Sequence, residues 1–185
     1  MAHDEAEMNW VRRAQAGDAD AFASLVERYW TQIYRWLYAL NRELHTAEDL
    51  TQETFLKAWA NLRQFTAGTR FRAWLFQIAR NSHIDRRRSH RPDRRRPLPE
   101  HLPAADAEPG AALQDRETQV LVRKAIDELP PAFRAPFLLR TQEELSYGEI
   151  AQILALTEET VRWRVFKARQ QLLSELGARL DRVSP

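Results

Sequence analysis

Ser146-Tyr147-Gly148-Glu149-Ile150-Ala151-Gln152-Ile153-Leu154-Ala155-Leu156-Thr157-Glu158-Glu159-Thr160-Val161-Arg162 decides the fold of the C-terminal half. Serine at an N-cap and glutamate three residues on form a capping box, which satisfies two orphan amides at a helix start. Ile150, Ile153 and Leu154 follow as a buried face. Thr157 then caps a second helix, and Glu158 and Glu159 sit in its first turn, where negative charge is favoured. A short helix, a tight turn and a second helix make a helix-turn-helix. On the second helix, Val161, Val165, Ala168 and Leu172 lie on one stripe that must face a core. The other side carries Glu159, Arg162, Trp163, Phe166, Lys167 and Gln170. Large aromatics among cations on an exposed face fit a major groove, where cations meet phosphates and guanine edges and aromatics meet thymine methyls. The rival reading is a helical hairpin in which Trp163 and Phe166 pack on a neighbouring helix.

Working outward, the same helical periodicity recurs. Helices are expected over about 116–128 and from Pro131 to about Arg140, with Leu129-Pro130-Pro131 as the break, then over 146–154 and 158–176. Pro136 falls inside the second of these and should kink it or move its start. Residues 97–115 hold Pro97, Pro99, Pro103, Pro109 and Gly110, so helix is not expected there. They read as a tether of at most roughly 60 Å. In the N-terminal half, helices are expected over about 5–16, 19–40, 46–62 and 71–88. Thr46, with Asp49 three residues on, reads as an N-cap. Phe22, Leu25, Val26, Tyr29, Ile33, Trp36 and Leu37 form one inner face, and Phe71, Trp74, Leu75 and Ile78 another. No strand pattern stands out. The fold class is therefore all-α, two small helical domains at 1–96 and 116–185 joined by the 97–115 linker.

Composition narrows the function. There are no cysteines, which removes disulfides and thiolate metal sites. No apolar run of 18 residues occurs, so no membrane insertion is expected. Met1-Ala2-His3-Asp4-Glu5 is acidic, unlike an export signal, so a cytoplasmic protein is expected. No Gly-rich phosphate loop or nucleophile elbow is present. The histidines (His3, His45, His83, His90 and His101) do not fall at metal-ligand spacing. An enzyme, a metal site, a cofactor and a small-molecule substrate are therefore not expected. The net charge of +2 hides an uneven distribution: residues 80–96 carry eight arginines against Asp85 and Asp93, whereas 97–115 carry four acids and no base. The arginine block suggests a polyanion contact beside the linker, and a solvated charge run is its rival.

Residues 47–62 divide on a helix into a buried half (Leu50, Phe55, Ala58, Trp59, Leu62) and an outer half of Asp49, Gln52, Glu53 and Leu56. Carboxylates around an exposed leucine suit a protein partner, because they repel phosphate. An ordinary solvated face would have the same spacing. The next helix carries Arg80, Asn81, His83, Arg86, Arg87 and Arg88, and the loop before it carries Thr66, Thr69 and Arg70. That surface suits DNA, single strands included.

Three motifs in order resemble the extracytoplasmic-function (ECF) branch of the sigma-70 family. Ala47-Glu48-Asp49-Leu50-Thr51-Gln52-Glu53-Thr54-Phe55-Leu56-Lys57-Ala58-Trp59 resembles the polymerase-binding helix. Phe71-Arg72-Ala73-Trp74-Leu75-Phe76-Gln77-Ile78-Ala79-Arg80-Asn81, with Asp85 and Arg88, resembles the promoter-melting helix. Leu129-Pro130-Pro131, Leu145 to Ala151, Thr160 to Arg164 and Lys167 to Arg169 resemble the −35-reading domain. The resemblance implies a sigma factor that binds core RNA polymerase and promoter DNA and answers to an anti-sigma factor. It implies polymerase contacts at Asp49, Gln52, Glu53 and Leu56. It implies −10 contacts at Phe65, Thr66, Thr69, Arg70, Arg80, Asn81, His83, Arg87 and Arg88, with the Phe65–Arg70 loop and Asn81 holding a flipped base. It implies −35 contacts at Thr160, Arg162, Trp163, Phe166, Lys167 and Arg169. Ala155 stands where the family's turn usually has glycine, so strain is expected there. Trp163 replaces a small polar residue, which predicts unusual −35 specificity. A conventional helix-turn-helix regulator with a helical sensing domain is the alternative; it leaves the acidic face and the arginine block unexplained.

Overall fold

The computed structural model describes residues 2–66, 70–89 and 113–183. Among these the secondary structure is helical: α1 (Ala2–Gln15), α2 (Ala19–Asn41), α3 (Leu44–Asn61), α4 (Phe71–Ser89), α5 (Leu113–Glu128), α6 (Pro131–Thr141), α7 (Tyr147–Leu154) and α8 (Glu158–Val183), with one 3-10 turn at Leu62–Gln64. Most of the 97–115 tether lies outside the described residues. Its last three residues are already helix, because α5 starts at Leu113.

In the N-terminal half, α2 packs on α1, α3 and α4. Asp18 caps α2 through its side chain, which accepts from the Asp20 and Ala21 amides at 3.0 Å. Leu25, Ile33, Leu37, Leu50, Leu62, Phe71, Leu75 and Phe76 are fully buried. Each such side chain contributes about 1.5–3 kcal/mol relative to exposure. Rings lock the helices together: Trp36 meets Phe76 edge-on at 5.4 Å and Tyr29 meets Phe71 at 5.8 Å. The Tyr29 hydroxyl donates to the buried Glu7 carboxylate, which ties α1 to α2. Burial, and then the neighbouring carboxylate, hold that phenol protonated.

Four expectations need correction. Thr46 is not the N-cap of α3. The backbone turns at Arg42 (φ 57°), Glu43 takes the cap position, and the Thr46 hydroxyl donates to the Glu43 carboxylate. Trp59 is half exposed rather than core, because it meets Phe22 in a tilted contact at the rim of α2 and not beneath it. Trp74 and Ile78 are only partly buried; Ala73 and Phe76 take the inner positions of α4 instead. The last helix continues past Leu176 to Val183.

In the C-terminal half, α6 runs unbroken through Pro136, which supplies no amide for the Ala132 carbonyl. The capping box closes on both sides: the Ser146 hydroxyl accepts from the Glu149 amide and the Glu149 carboxylate accepts from the Ser146 amide. Ala155 ends α7 in the left-handed region (φ 51°, ψ 53°), as the missing glycine predicted, a conformation that costs a non-glycine residue about 1–2 kcal/mol. Ile150, Ile153, Val161, Val165 and Ala168 close the core of this half.

The two halves pack directly, α4 on α7 and α2 on α6. Arg70 faces Glu149 at 3.5 Å, and the Gln77 side-chain amide donates to the Gln152 carbonyl at 3.2 Å. Glu143 is buried; burial pushes its carboxyl up, against the pull of Arg72 and Arg35 from the other half. The Arg134 guanidinium donates to the Ala39 carbonyl of α2.

Candidate nucleic-acid and protein interfaces

Three surfaces carry the residues singled out in the sequence. The first is the outer face of α3. Asp49, Gln52 and Leu56 are exposed, Glu53 is half-buried, and the Leu56 side chain is 71% exposed. Asp49 pairs with Arg86 of α4 at 3.2 Å, and Glu53 pairs with Lys57 one turn on at 2.6 Å. Leu56 and Trp59 continue into an apolar groove of about 470 Å³ along α2, floored by Phe22, Val26, Trp30 and Phe55. The sequence reading missed this groove. It placed Phe22 and Val26 in the core, and periodicity alone does not tell a buried stripe from one left partly uncovered.

The second surface lies where α4 faces α3. Lys57, Asn61 and Gln64 recur at spacings of four and three, and so do Trp74, Ile78 and Asn81. The two stripes face each other and line a hollow of about 360 Å³. Asn81 is exposed at its rim. The paired spacing is a signal the sequence reading did not use, so Lys57, Asn61, Gln64 and Trp74 were missed. Thr66, Arg87 and Arg88 are exposed, and Arg80 is half-buried beside Asn81. Arg70 is exposed but engaged with Glu149. Thr69 and residues 90–96 of the arginine block lie outside the described residues.

Two of the −10 candidates sit differently from expectation. Phe65 is buried against Phe71 and Trp74 at 5.7 and 5.2 Å, so its ring is committed to the core and not free to stack on a base. Gln15 fixes the loop from below, donating to the Leu62 and Phe65 carbonyls at 3.0 and 2.8 Å. His83 is half-buried, with Nδ1 3.0 Å from Asn41 Oδ1. Burial, and then Arg87, hold its pKa at about 4, below the ordinary 6.5. It is neutral at physiological pH and supplies no positive charge for a phosphate. The unfolded chain takes up this proton first as pH falls. The contribution is therefore fully present above pH 6.5 and is lost as pH falls from 6.5 toward 4. Urea midpoints measured across that window should decline, and the decline should flatten in His83→Gln. Parallel curves for the two proteins would contradict it.

The third surface is the outer face of α8. Arg162, Lys167 and Arg169 are exposed, Thr160 is half-buried, and Trp163 and Phe166 are 51% and 54% exposed. Trp163 also meets Phe133 of α6 edge-on at 5.7 Å. One edge of Trp163 thus packs on a neighbouring helix and the rest faces solvent. Thr157 caps the helix, accepting from the Thr160 amide at 3.2 Å.

Comparisons with known proteins bear on these surfaces. Residues 25–92 match the family description "Sigma-70 region 2" and residues 119–172 match "Sigma-70, region 4". The chain is 38% identical to ECF RNA polymerase sigma factor SigE of Mycolicibacterium smegmatis over 167 residues, 87% of this chain and 65% of that protein. It is 31% identical to ECF RNA polymerase sigma factor SigW of Bacillus subtilis over 176 residues, 90% of this chain and 94% of that protein. Among solved structures it is similar to RpoE bound to the anti-sigma factor NepR from Bartonella quintana, at TM-score 0.69 and 26% identity over 89% of this chain and 98% of that one. It is also similar to CnrH bound to the cytosolic domain of CnrY, at TM-score 0.68 and 25% identity over 94% of this chain and 98% of that one. Among the described residues no helix is long and apolar enough to cross a membrane. The chain belongs to the extracytoplasmic-function branch of the sigma-70 family and is a transcription initiation factor, not an enzyme.

Proposed function

We propose that this sigma factor divides its work among three faces: the α3 face for core polymerase, the α3–α4 hollow and its cationic rim for the −10 element, and the outer face of α8 for the −35 element. The single observation that carries this is the segregation of charge and apolar surface. Asp49, Gln52 and Leu56 stand exposed beside half-buried Glu53 on the outer face of α3, while Arg87 and Arg88 stand exposed at the end of α4 and Arg162, Trp163, Phe166, Lys167 and Arg169 on the outer face of α8. The clamp helices of the largest polymerase subunit are the partner for Asp49, Gln52, Glu53 and Leu56. Thr66, Thr69, Arg70, Arg80, Arg87 and Arg88 hold the strand around the −10 element. Thr160, Arg162, Trp163, Phe166, Lys167 and Arg169 face the −35 element. The functional units run over 1–96 and, with the start of α5 included, 113–185, and the tether between them lets them part. Arg70 then exchanges Glu149 for phosphate.

Asn81 holds an unstacked base at the rim of the hollow. Capture of an extruded base offsets part of an unstacking cost of a few kcal/mol and so shifts the duplex toward the open form. The factor works in the cytoplasm, in an extracytoplasmic or stress response, and is held in check by an anti-sigma factor; complexes of the similar RpoE and CnrH support that last assignment. Runoff transcription with purified core polymerase tests the whole reading, since a conventional helix-turn-helix regulator gives no core-dependent initiation. Asn81→Ala is expected to retain polymerase affinity while opening falls roughly tenfold, the equivalent of one lost hydrogen bond. Unchanged permanganate reactivity in the bubble would remove the base-capture role.

A further inference from the structure

Arg162 is held by more than its own helix. Its guanidinium carbon lies 4.8 Å from the centre of the Tyr147 ring, and Nη2 donates to the Glu158 carboxylate one turn back. A second cation, Arg140 of α6, lies 4.9 Å from the same ring. Arg140 is anchored by donating from Nη1 to the Leu145 carbonyl at 2.9 Å. Tyr147 is the first residue of α7 and half-buried, so it is part of the scaffold rather than a free tip. One ring thus joins α6, α7 and the base-facing side of α8.

We propose that Tyr147 is a positioning residue for Arg162 and thereby sets sequence specificity at one base pair of the −35 element. The inference rests on α8 being the reading helix. Arg162 stands in its second turn, near the end that meets base edges in helix-turn-helix proteins. A free arginine side chain loses much rotamer freedom when it forms two bonds to one guanine. A guanidinium already stacked on an aromatic face has lost part of that freedom before binding, so the cost falls on the free protein and not on the correct complex. Phosphate contacts tolerate a loosely held cation, whereas bidentate base contacts do not. Loosening Arg162 should therefore erode discrimination more than affinity.

The test uses polymerase holoenzyme formed with the full chain and a promoter library randomised over the −35 region. Arg162→Ala identifies the base pair that Arg162 reads. Tyr147→Leu is expected to reduce discrimination at that pair about fivefold, the size of one cation–π contact at an exposed site, and to leave the other positions unchanged. Tyr147→Phe keeps the ring and should keep the discrimination, which a contact made by the hydroxyl would not. Equal losses in Tyr147→Phe and Tyr147→Leu, or an unchanged preference in Tyr147→Leu, would overturn the positioning role while leaving α8 as the reading helix. A flat profile for Arg162→Ala would overturn the reading of α8 at this residue, and the inference with it.

Discussion

Glu53→Arg should weaken binding to core polymerase by at least about a hundredfold without unfolding the chain. Its effect on the fold is small. Glu53 is half-buried on an outer helix face and its ion pair is to Lys57 one turn on. Such pairs within a helix are worth about 0.2–0.5 kcal/mol. The substitution also places a cation one turn after Asp49, which restores part of what is lost. The effect on binding is large because the charge is reversed beside Leu56, the most exposed large apolar side chain among the described residues. Reversing one member of a charge pair packed around an apolar anchor costs about 2–5 kcal/mol, and about 2.7 kcal/mol is already a hundredfold. Fluorescence anisotropy with labelled core enzyme measures this directly. A −35 duplex binding assay on the same full-length variant serves as the control and should be unaffected. Wild-type affinity for core would remove the α3 face from the polymerase interface.

Arg134→Met should lower stability by about 2–3 kcal/mol and loosen the contact between the halves. Arg134 is only 4% exposed, yet no carboxylate pairs with it among the described hydrogen bonds and ion pairs. Its Nε and Nη2 donate to the Leu129 carbonyl at 3.1 and 2.6 Å, where the chain breaks before α6. Its Nη1 donates to the Ala39 carbonyl near the end of α2. Burial, and then Arg42, lower its pKa, while Asp127 opposes them. Two effects compete in the variant. Removing a buried cation relieves desolvation, but it leaves two carbonyls without a charged donor. Bonds to charged groups are worth about 1.5–3 kcal/mol each, and methionine fills the stem volume without replacing them, so loss wins. Arg134→Lys should not rescue, because one ammonium does not span the fork. Urea midpoints give the stability, and the small-angle scattering radius, expected to rise, reports the looser docking. An unchanged midpoint would show that the bonds and the desolvation cost cancel.

The capping box at Ser146 and Glu149, the cap at Thr157, and the core stripe of Val161, Val165 and Ala168 act over three or four residues. Such short-range chemistry can be read from the chain directly, and it placed the helix-turn-helix and the all-helical class. The exposed α3 face was legible for the same reason, since carboxylates at helical spacing have nowhere apolar to go. Tertiary structure decided matters between residues far apart in sequence. Phe65 turned inward because Phe71 and Trp74 were there to meet it. His83 lost its charge because α2 brought Asn41 against it and burial removed its water.

Periodicity by itself determined which face of each helix is apolar, because a helix repeats every 3.6 residues whatever surrounds it. What covers that face is a different matter. It depends on which other helix arrives and at what height. That is why the α2–α3 groove, the α3–α4 hollow and the Tyr147–Arg162 contact emerged only from packing, where side chains of different helices compete for the same space.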